Sequence, residues 1–293
     1  MADTEKILPT VQWFPGHMTK ARKIITENLK LVDAVIELLD ARIPYSSANP
    51  MLQEIISGKP RVVALNKADL ADPVITRKWV DYFTQQGMKA VSIDSMTGKG
   101  TKQLVQAVED MAREKTEKLL SRGVIKPRAA RVMILGIPNV GKSSLINRLA
   151  GAVKAKAADK PGVTRAKQWI RIGKNLELLD TPGILWPKFE DNDIGMRLAF
   201  IGSINDEILV IEELALDFVK YLEGIYPGII KEYYKLEGEM HTDHRALEEV
   251  AKARKCLSSG GEPDILKASR LIIDDYRSGR LGRLSLERPE GKE

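Results

Sequence analysis

No stretch of this 293-residue chain constrains its fold more than Gly136-Ile137-Pro138-Asn139-Val140-Gly141-Lys142-Ser143, which fits G-x-x-x-x-G-K-[ST]. The run before it, Arg131 to Leu135, is short and apolar, as a buried strand is; the run after it, from Lys142 to Leu149, has a helical pattern. A loop of this composition between strand and helix cradles phosphate. Its glycines let the backbone turn and approach the anion, while successive N–H groups and the positive helix end face it. The nucleotide-binding run is therefore Asn139, Val140, Gly141, Lys142, Ser143 and Ser144. Lys142 is placed to reach the β- and γ-phosphates and Ser143 to put its hydroxyl on Mg²⁺. The loop alone leaves ATP and GTP both open.

A second strand pattern, Arg61 to Leu65, ends on Asn66-Lys67-Ala68-Asp69, which fits N-K-x-D. Asp69 can accept from the ring N–H and the exocyclic amine of guanine, Asn66 can reach the far edge of the ring, and the Lys67 stem can cover its face. Adenine offers that carboxylate an acceptor and no amine, and a site built for hydrogen-bonding donors rejects a base lacking them. Alone the tetrapeptide is a weak pattern; joined to a phosphate loop it selects guanine. A third strand pattern, Ala90 to Ile93, ends on Asp94 and Ser95, whose backbone N–H groups suit the guanine carbonyl oxygen.

Downstream of the phosphate loop, residues 151 to 167 have little periodicity and contain Thr164, which suits a switch that orders around Mg²⁺ and a γ-phosphate. A hairpin pattern over 169 to 179 then ends on Asp180-Thr181-Pro182-Gly183, which fits D-x-x-G. Asp180 is expected to face the metal through water, and the Gly183 N–H the γ-phosphate. Ser143, Thr164 and Asp180 are thus the Mg²⁺ candidates. In most GTPases the phosphate loop comes first, whereas here Asn66 to Asp69 and Asp94-Ser95 precede it, so the chain is circularly permuted. Permutation preserves the sheet, because the termini of compact domains lie at the surface and often close together. The expected fold is α/β: a circularly permuted, doubly wound P-loop GTPase sheet followed by a smaller all-helical domain. The expected boundaries are 1–190, with an N-terminal extension at 1–32, and 191–293, where no strand pattern returns.

Charge and cysteine usage narrow the setting. Formal net charge is +6, and residues 111 to 131 and 151 to 174 each carry seven basic side chains, against two acidic ones and one respectively. Positive charge clustered on either side of a nucleotide site suits RNA, which gains by counterion release; a solvated linker is the alternative for either patch alone. Cys256, the single cysteine, allows no internal disulfide and fits a reducing compartment, with cytoplasmic localisation expected. No run approaches the roughly 20 apolar residues of a membrane span, and the opening residues are not expected to form a signal peptide, so no membrane partner is expected.

These motifs, together with Trp13-Phe14-Pro15-Gly16-His17-Met18, Asp40-Ala41-Arg42-Ile43-Pro44 and the helical tail, make the sequence resemble the circularly permuted GTPases over nearly its whole length. Within them it is most similar to the bacterial ribosome biogenesis GTPase A family. The resemblance implies a GTPase acting in assembly of the large ribosomal subunit, with a C-terminal domain similar to RNA-binding antiterminator domains. GTP, GDP, the large subunit and its rRNA are the expected partners, and a monomer is expected when free. The alternative is a GTP-regulated binding protein for a protein or tRNA partner. Asp94-Ser95-Met96 departs from the commoner S-A-K, which puts its side-chain contacts in question but not its backbone contacts. Asn139 stands where potassium-stimulated GTPases carry an asparagine, so K⁺ is a candidate cofactor beside Mg²⁺; an asparagine that only shapes the turn is the alternative. Ile184, after D-x-x-G, has no group to orient water. His17 is the catalytic candidate in its place, against packing or RNA contact, with the water placed by rRNA or backbone.

Overall fold

The computed structural model describes residues 15–121, 129–151, 169–173, 175–179 and 191–289, with main chain alone for 15–21, 114–116 and 118–120. Contacts divide these into a unit of residues 15–179 with 287–289, and a unit of residues 191–286.

The first unit is built on a six-stranded sheet of order β3-β2-β1-β4-β6-β5. Its strands are β1 (Ala34–Asp40), β2 (Arg61–Asn66), β3 (Lys89–Ser92), β4 (Ala130–Leu135), β5 (Trp169–Ile172) and β6 (Leu176–Leu179). All neighbours pair in parallel except β5 with β6, the hairpin expected from the sequence. From β1 the chain moves outward to β2 and β3, and from β4 it moves the other way to β6 and β5. The order therefore reverses between β1 and β4, and the crevice beyond their carboxyl ends is where open α/β sheets bind ligands. β1 ends on Asp40 beside Asn66 of β2, and β4 runs straight into the phosphate loop.

Strand pleating sends alternate side chains to opposite faces, and both faces are buried, which is why these strands read as continuous apolar runs. On one face Val35, Met133, Leu135 and Leu179 pack with Ile25 and Leu29 of α1 (Pro15–Leu29) and with Leu52 of α3 (Pro50–Ile55). On the same face Leu39, Val63 and Leu65 pack with Ile75, Trp79 and Phe83 of α4 (Pro73–Gln85). The opposite side chains Ile36, Leu38, Val62 and Ala64 are also buried, and α5 (Thr101–Leu120) contacts β1, β2 and β3. Between β1 and α3 lies α2 (Pro44–Ser47), which starts at a proline because Ile43 before it is held out of helical geometry at φ −142°. The phosphate loop leads into α6 (Lys142–Ala150).

Pro15 and Gly16 read in the sequence as a turn ahead of a helix from Thr19, but both belong to the first turn of α1. Proline is well suited to that position, since its missing N–H has no intrahelical partner there.

The second unit is helical. Its helices are α7 (Asn192–Phe200), α8 (Ile211–Ile225), α9 (Ile229–Tyr234), α10 (His244–Ala253) and α11 (Ile265–Arg277). α8 is central, packing on the other four, and Phe200, Phe218 and Tyr276 form an aromatic core with ring centroids 5.1 and 4.7 Å apart. Arg277 donates to the carbonyls of Ala199 and Phe200 and pairs with Asp206, closing the last turn of α7. In the sequence a helical pattern can be read from Glu207 to Tyr221, but α8 begins at Ile211. Asn205 caps a single 3₁₀ turn, Asp206–Ile208, and extended Leu209 separates it from α8, which then runs on until Pro227 stops it. Cys256 is buried, as a structural thiol is. No helix among the described residues is long and apolar enough to cross a membrane.

Candidate nucleotide site

The phosphate loop sits at the reversal point because β4, which leads into it, pairs with β1 there, and nothing larger than glycine fits its first position. A Cβ on Gly136 would lie 2.5 Å from the Leu38 carbonyl oxygen of neighbouring β1. At the other end Gly141 has φ +100°, and a Cβ there would lie 2.3 Å from Asn66 Nδ2. The loop's left-handed turn is completed by Asn139 at φ 56°, a conformation asparagine tolerates better than most residues. Lys142 is buried, its Nζ donating to the carbonyls of Gly136 at 3.1 Å and Ile137 at 2.5 Å, so the ammonium is held within the loop it serves. Ser143, next along at the start of α6, is exposed.

Base and phosphate loops meet at one side chain. Asn66, 2% exposed, donates from Nδ2 to the Val140 carbonyl at 2.7 Å, and its Oδ1 accepts from the Ser95 N–H at 3.1 Å and hydroxyl at 2.7 Å. The sequence suggests that this amide reaches the base; in the structure its two polar atoms also tie the Asn66–Asp69 turn, the 94–98 turn and the phosphate loop together. Arg148 of α6 adds a second tie, donating from Nε to the Ser95 carbonyl at 3.3 Å. Asp94 shapes its own turn by accepting from the N–H groups of Met96 and Thr97 and from the Thr97 hydroxyl. Burial alone would raise its carboxyl, but these bonds, with Arg148 nearby, hold it below its usual value. That leaves the backbone of the 94–98 turn, rather than the Asp94 side chain, to meet a ligand. Ala68 is half-buried with its N–H on the Ile93 carbonyl, and the Asp69 carboxylate is exposed.

Lys67 takes φ 60°, and its Nζ lies 3.1 Å from Asp40 Oδ2. Asp40 is fully buried and gripped by Arg42, which donates from Nε to Oδ1 at 2.9 Å and from Nη2 to Oδ2 at 2.8 Å. Burial by itself would raise this carboxyl, yet Arg42 and Lys67 beside it hold it well below the usual carboxylate range. Burial likewise pushes the Lys67 ammonium down, and Asp40 opposes that shift. Tying the ammonium at Asp40 leaves the aliphatic stem as the part of Lys67 available to a flat ring. Asp40 and Arg42 were visible in the sequence as an Asp-Ala-Arg run, but nothing there paired them with Lys67.

Asn66, Lys67, Ala68, Asp69, Asp94, Ser95, Asn139, Val140, Gly141, Lys142, Ser143 and Ser144 thus lie on three adjoining turns and the start of α6, beyond the carboxyl ends of the strands. Thr164, Asp180 and Gly183 lie outside the described residues, as does the side chain of His17. For Mg²⁺, the fit rests on the exposed Ser143 hydroxyl beside Lys142, a hard oxygen donor at the mouth of a phosphate cradle. No group of three or more His, Cys, Asp or Glu side chains able to hold a metal occurs among the described residues. A Mg²⁺ ion bound largely by phosphate oxygens and water needs no such cage.

A phosphate loop at the reversal of a parallel sheet, locked through Asn66 to a guanine turn that precedes it in the chain, defines a circularly permuted P-loop GTPase. Comparison with known proteins agrees. The family model described as 50S ribosome-binding GTPase matches residues 131–251, beginning at the phosphate-loop strand and leaving the upstream guanine turn outside. Ribosome biogenesis GTPase A of Bacillus cereus is 50% identical over 96% of this chain and 94% of its own length, and that of Thermotoga maritima is 32% identical over 96% and 95%. Mouse mitochondrial ribosome-associated GTPase 1 is 34% identical over 94% and 90%. The crystal structure of GNP-bound YlqF from T. maritima superposes with a TM-score of 0.65 at 32% identity, covering 92% of this chain and 99% of that one. The chain belongs to the ribosome biogenesis GTPase A family. It binds GTP and GDP and is a GTP hydrolase of ribosome biogenesis.

Proposed function

We propose that this GTPase acts late in assembly of the large (50S) ribosomal subunit, docking on pre-ribosomal RNA in its GTP state and leaving after hydrolysis. The observation that carries the reading is the lock made by Asn66, because it ties the base turn and the phosphate loop into one nucleotide site. The two basic runs flanking the phosphate loop in sequence supply charge for rRNA, and the names of the relatives point to the ribosome.

In this reading the Asp69 carboxylate takes the two donors of guanine, Lys67 covers the ring and the 94–98 turn meets its carbonyl oxygen. The loop N–H groups and Lys142 hold the β- and γ-phosphates, and Ser143 with Thr164, and Asp180 through water, holds Mg²⁺. When bound, the ion would supply positive charge to the phosphate oxygens. Gly183 senses the γ-phosphate, so the switch segment orders with GTP and relaxes with GDP.

The test is co-sedimentation with large-subunit precursor particles in the presence of a non-hydrolysable GTP analogue, GDP, or no nucleotide. Binding is expected with the analogue and release with GDP. Equal association in all three conditions, or none, removes the reading in favour of a GTP-regulated binder of a protein or tRNA.

A further inference from the structure

One buried carboxylate of the first unit takes no part in that chemistry. Glu287, 8% exposed, stands in the last described stretch of the chain and packs with the sheet unit. Its Oε2 accepts from the Tyr45 N–H at 2.8 Å, both carboxylate oxygens accept from the Ser46 N–H at 3.1 and 3.2 Å, and the Ser46 hydroxyl donates to Oε1. Its main-chain carbonyl accepts from the indole N–H of Trp79 at 3.2 Å. These contacts reach 242, 241 and 208 positions back along the chain.

Each leads through a short chain of contacts toward the guanine turn. Tyr45 and Ser46 belong to the four-residue helix α2, too short to hold its own place in water. Ser47, beside them, accepts the Asp40 N–H at 3.0 Å and donates to the Pro44 carbonyl at 3.2 Å, and the Asp40 carboxylate holds Lys67. Trp79 is in the cluster of Leu39, Ala41, Leu65 and Ala71, against which Ala68 packs. Glu287 therefore anchors both the helix that fixes Asp40 and the aromatic floor under residues 65–71. A buried carboxylate is retained only where its donors are satisfied, and these donors come from the segment leading out of β1.

We infer that Glu287 is a positioning residue for guanine recognition: it fixes α2 so that Asp40 holds Lys67 over the base, without itself touching nucleotide. This rests on the assignment of Asn66–Asp69 as the guanine turn. Physical adjacency alone does not establish coupling, which has to be measured as a departure from additivity.

Equilibrium binding of GDP and of IDP, whose base lacks the exocyclic amine, is measured for the full chain as wild type, Glu287→Ala, Glu287→Gln, Lys67→Ala, Asp69→Asn and the Glu287→Ala/Lys67→Ala double variant. Glu287→Ala is expected to weaken GDP and IDP alike, by about tenfold, the scale of one charge-assisted hydrogen bond, because the Lys67 stem covers a ring face that both bases share. Glu287→Gln, which keeps one acceptor oxygen, falls between. On the Lys67→Ala background Glu287→Ala adds less than about twofold, because the route ends at a residue already removed. Weakening confined to GDP, full additivity with Lys67→Ala, or wild-type binding each overturns the positioning role. Should Glu287→Ala fail to fold, Glu287→Gln and Ser46→Ala decide by the same comparison. If Asp69→Asn leaves the preference for GDP over IDP unchanged, the guanine-turn assignment falls and this inference with it. If Asp69→Asn shifts the preference and the Glu287 variants bind GDP as wild type, the inference alone falls.

Discussion

The side chain of Asn66 and the carbonyl of Val140, 74 positions apart in the chain, are joined by a hydrogen bond of 2.7 Å that ties the Asn66–Asp69 turn directly to the phosphate loop. Asn66→Ala removes that bond and takes from buried Ser95 the acceptor it uses. Losing a buried partner of this kind costs about 1–3 kcal/mol. GDP affinity is therefore expected to fall roughly 10²-fold, with both base preference and phosphate binding affected, by the conversion of about 1.4 kcal/mol per tenfold. Titration with GDP, GTP and inorganic pyrophosphate checks this. Intact pyrophosphate binding would show that the two loops stand separately.

Asp69→Asn addresses the base alone. The exposed carboxylate matches two donors of guanine, whereas an amide presents one acceptor and one donor. GTP binding is expected to weaken strongly and discrimination against xanthine nucleotides to disappear, as read by competition between GTP and XTP. An unchanged preference for GTP removes Asp69 from the recognition site.

Much of this site was legible because its motifs are local. Gly136–Ser143 and Asn66–Asp69 each fit within eight residues of sequence, and the strands before them read as apolar runs because both sheet faces are covered. The order of the two motifs was enough to imply permutation, and β4 pairing with β1 gives the sheet that permutation requires. The Asp40–Lys67 pair, the Glu287–Ser46 bond and the Asn66 lock were not legible, since each depends on which segments the sheet brings side by side. Pro15-Gly16 misled for the opposite reason: as a dipeptide it signals a turn, and its acceptability in the first turn of a helix shows only in context.

Glu37, on β1, gives the fold a pH dependence of its own. Burial raises its carboxyl from the ordinary 4.5 to about 6, against the lowering effect of Arg61, whose Nη1 donates to Oε2 at 3.1 Å. Between those values the native state keeps a proton that the unfolded chain has released. Stability from this group is thus complete below the unfolded value and is lost as pH rises through about 6, by about 2 kcal/mol in all. Urea unfolding across this range should show that decline in wild type relative to Glu37→Gln, whose neutral side chain cannot titrate. Parallel pH profiles for the two proteins would assign the slope to other groups.

His17 is the candidate for directing the attacking water, since Ile184 offers no donor or acceptor in the position after D-x-x-G. A neutral imidazole near physiological pH can accept the water's proton. His17→Ala is expected to lower the particle-stimulated rate roughly 10²-fold or more, with GTP affinity and particle docking near wild type. Single-turnover hydrolysis on precursor particles, with docking measured in the same samples, separates the cases. A variant that docks and hydrolyses normally, or one that fails to dock, returns His17 to packing or RNA contact.

Asn139 carries two rival roles that one substitution divides. At φ 56° the residue sits where asparagine is tolerated for its backbone alone, and glycine would hold the same turn at less cost. If its side-chain oxygen also helps hold K⁺ beside the phosphates, the ion adds positive charge where the leaving group gains negative charge. Hydrolysis should then run faster in KCl than in NaCl at equal ionic strength, and Asn139→Gly should lower the KCl rate to the NaCl level while leaving GDP affinity close to wild type. If the asparagine serves only the turn, Asn139→Gly hydrolyses as wild type in both salts. Equal wild-type rates in KCl and NaCl dispose of the potassium role outright, whatever the variant does.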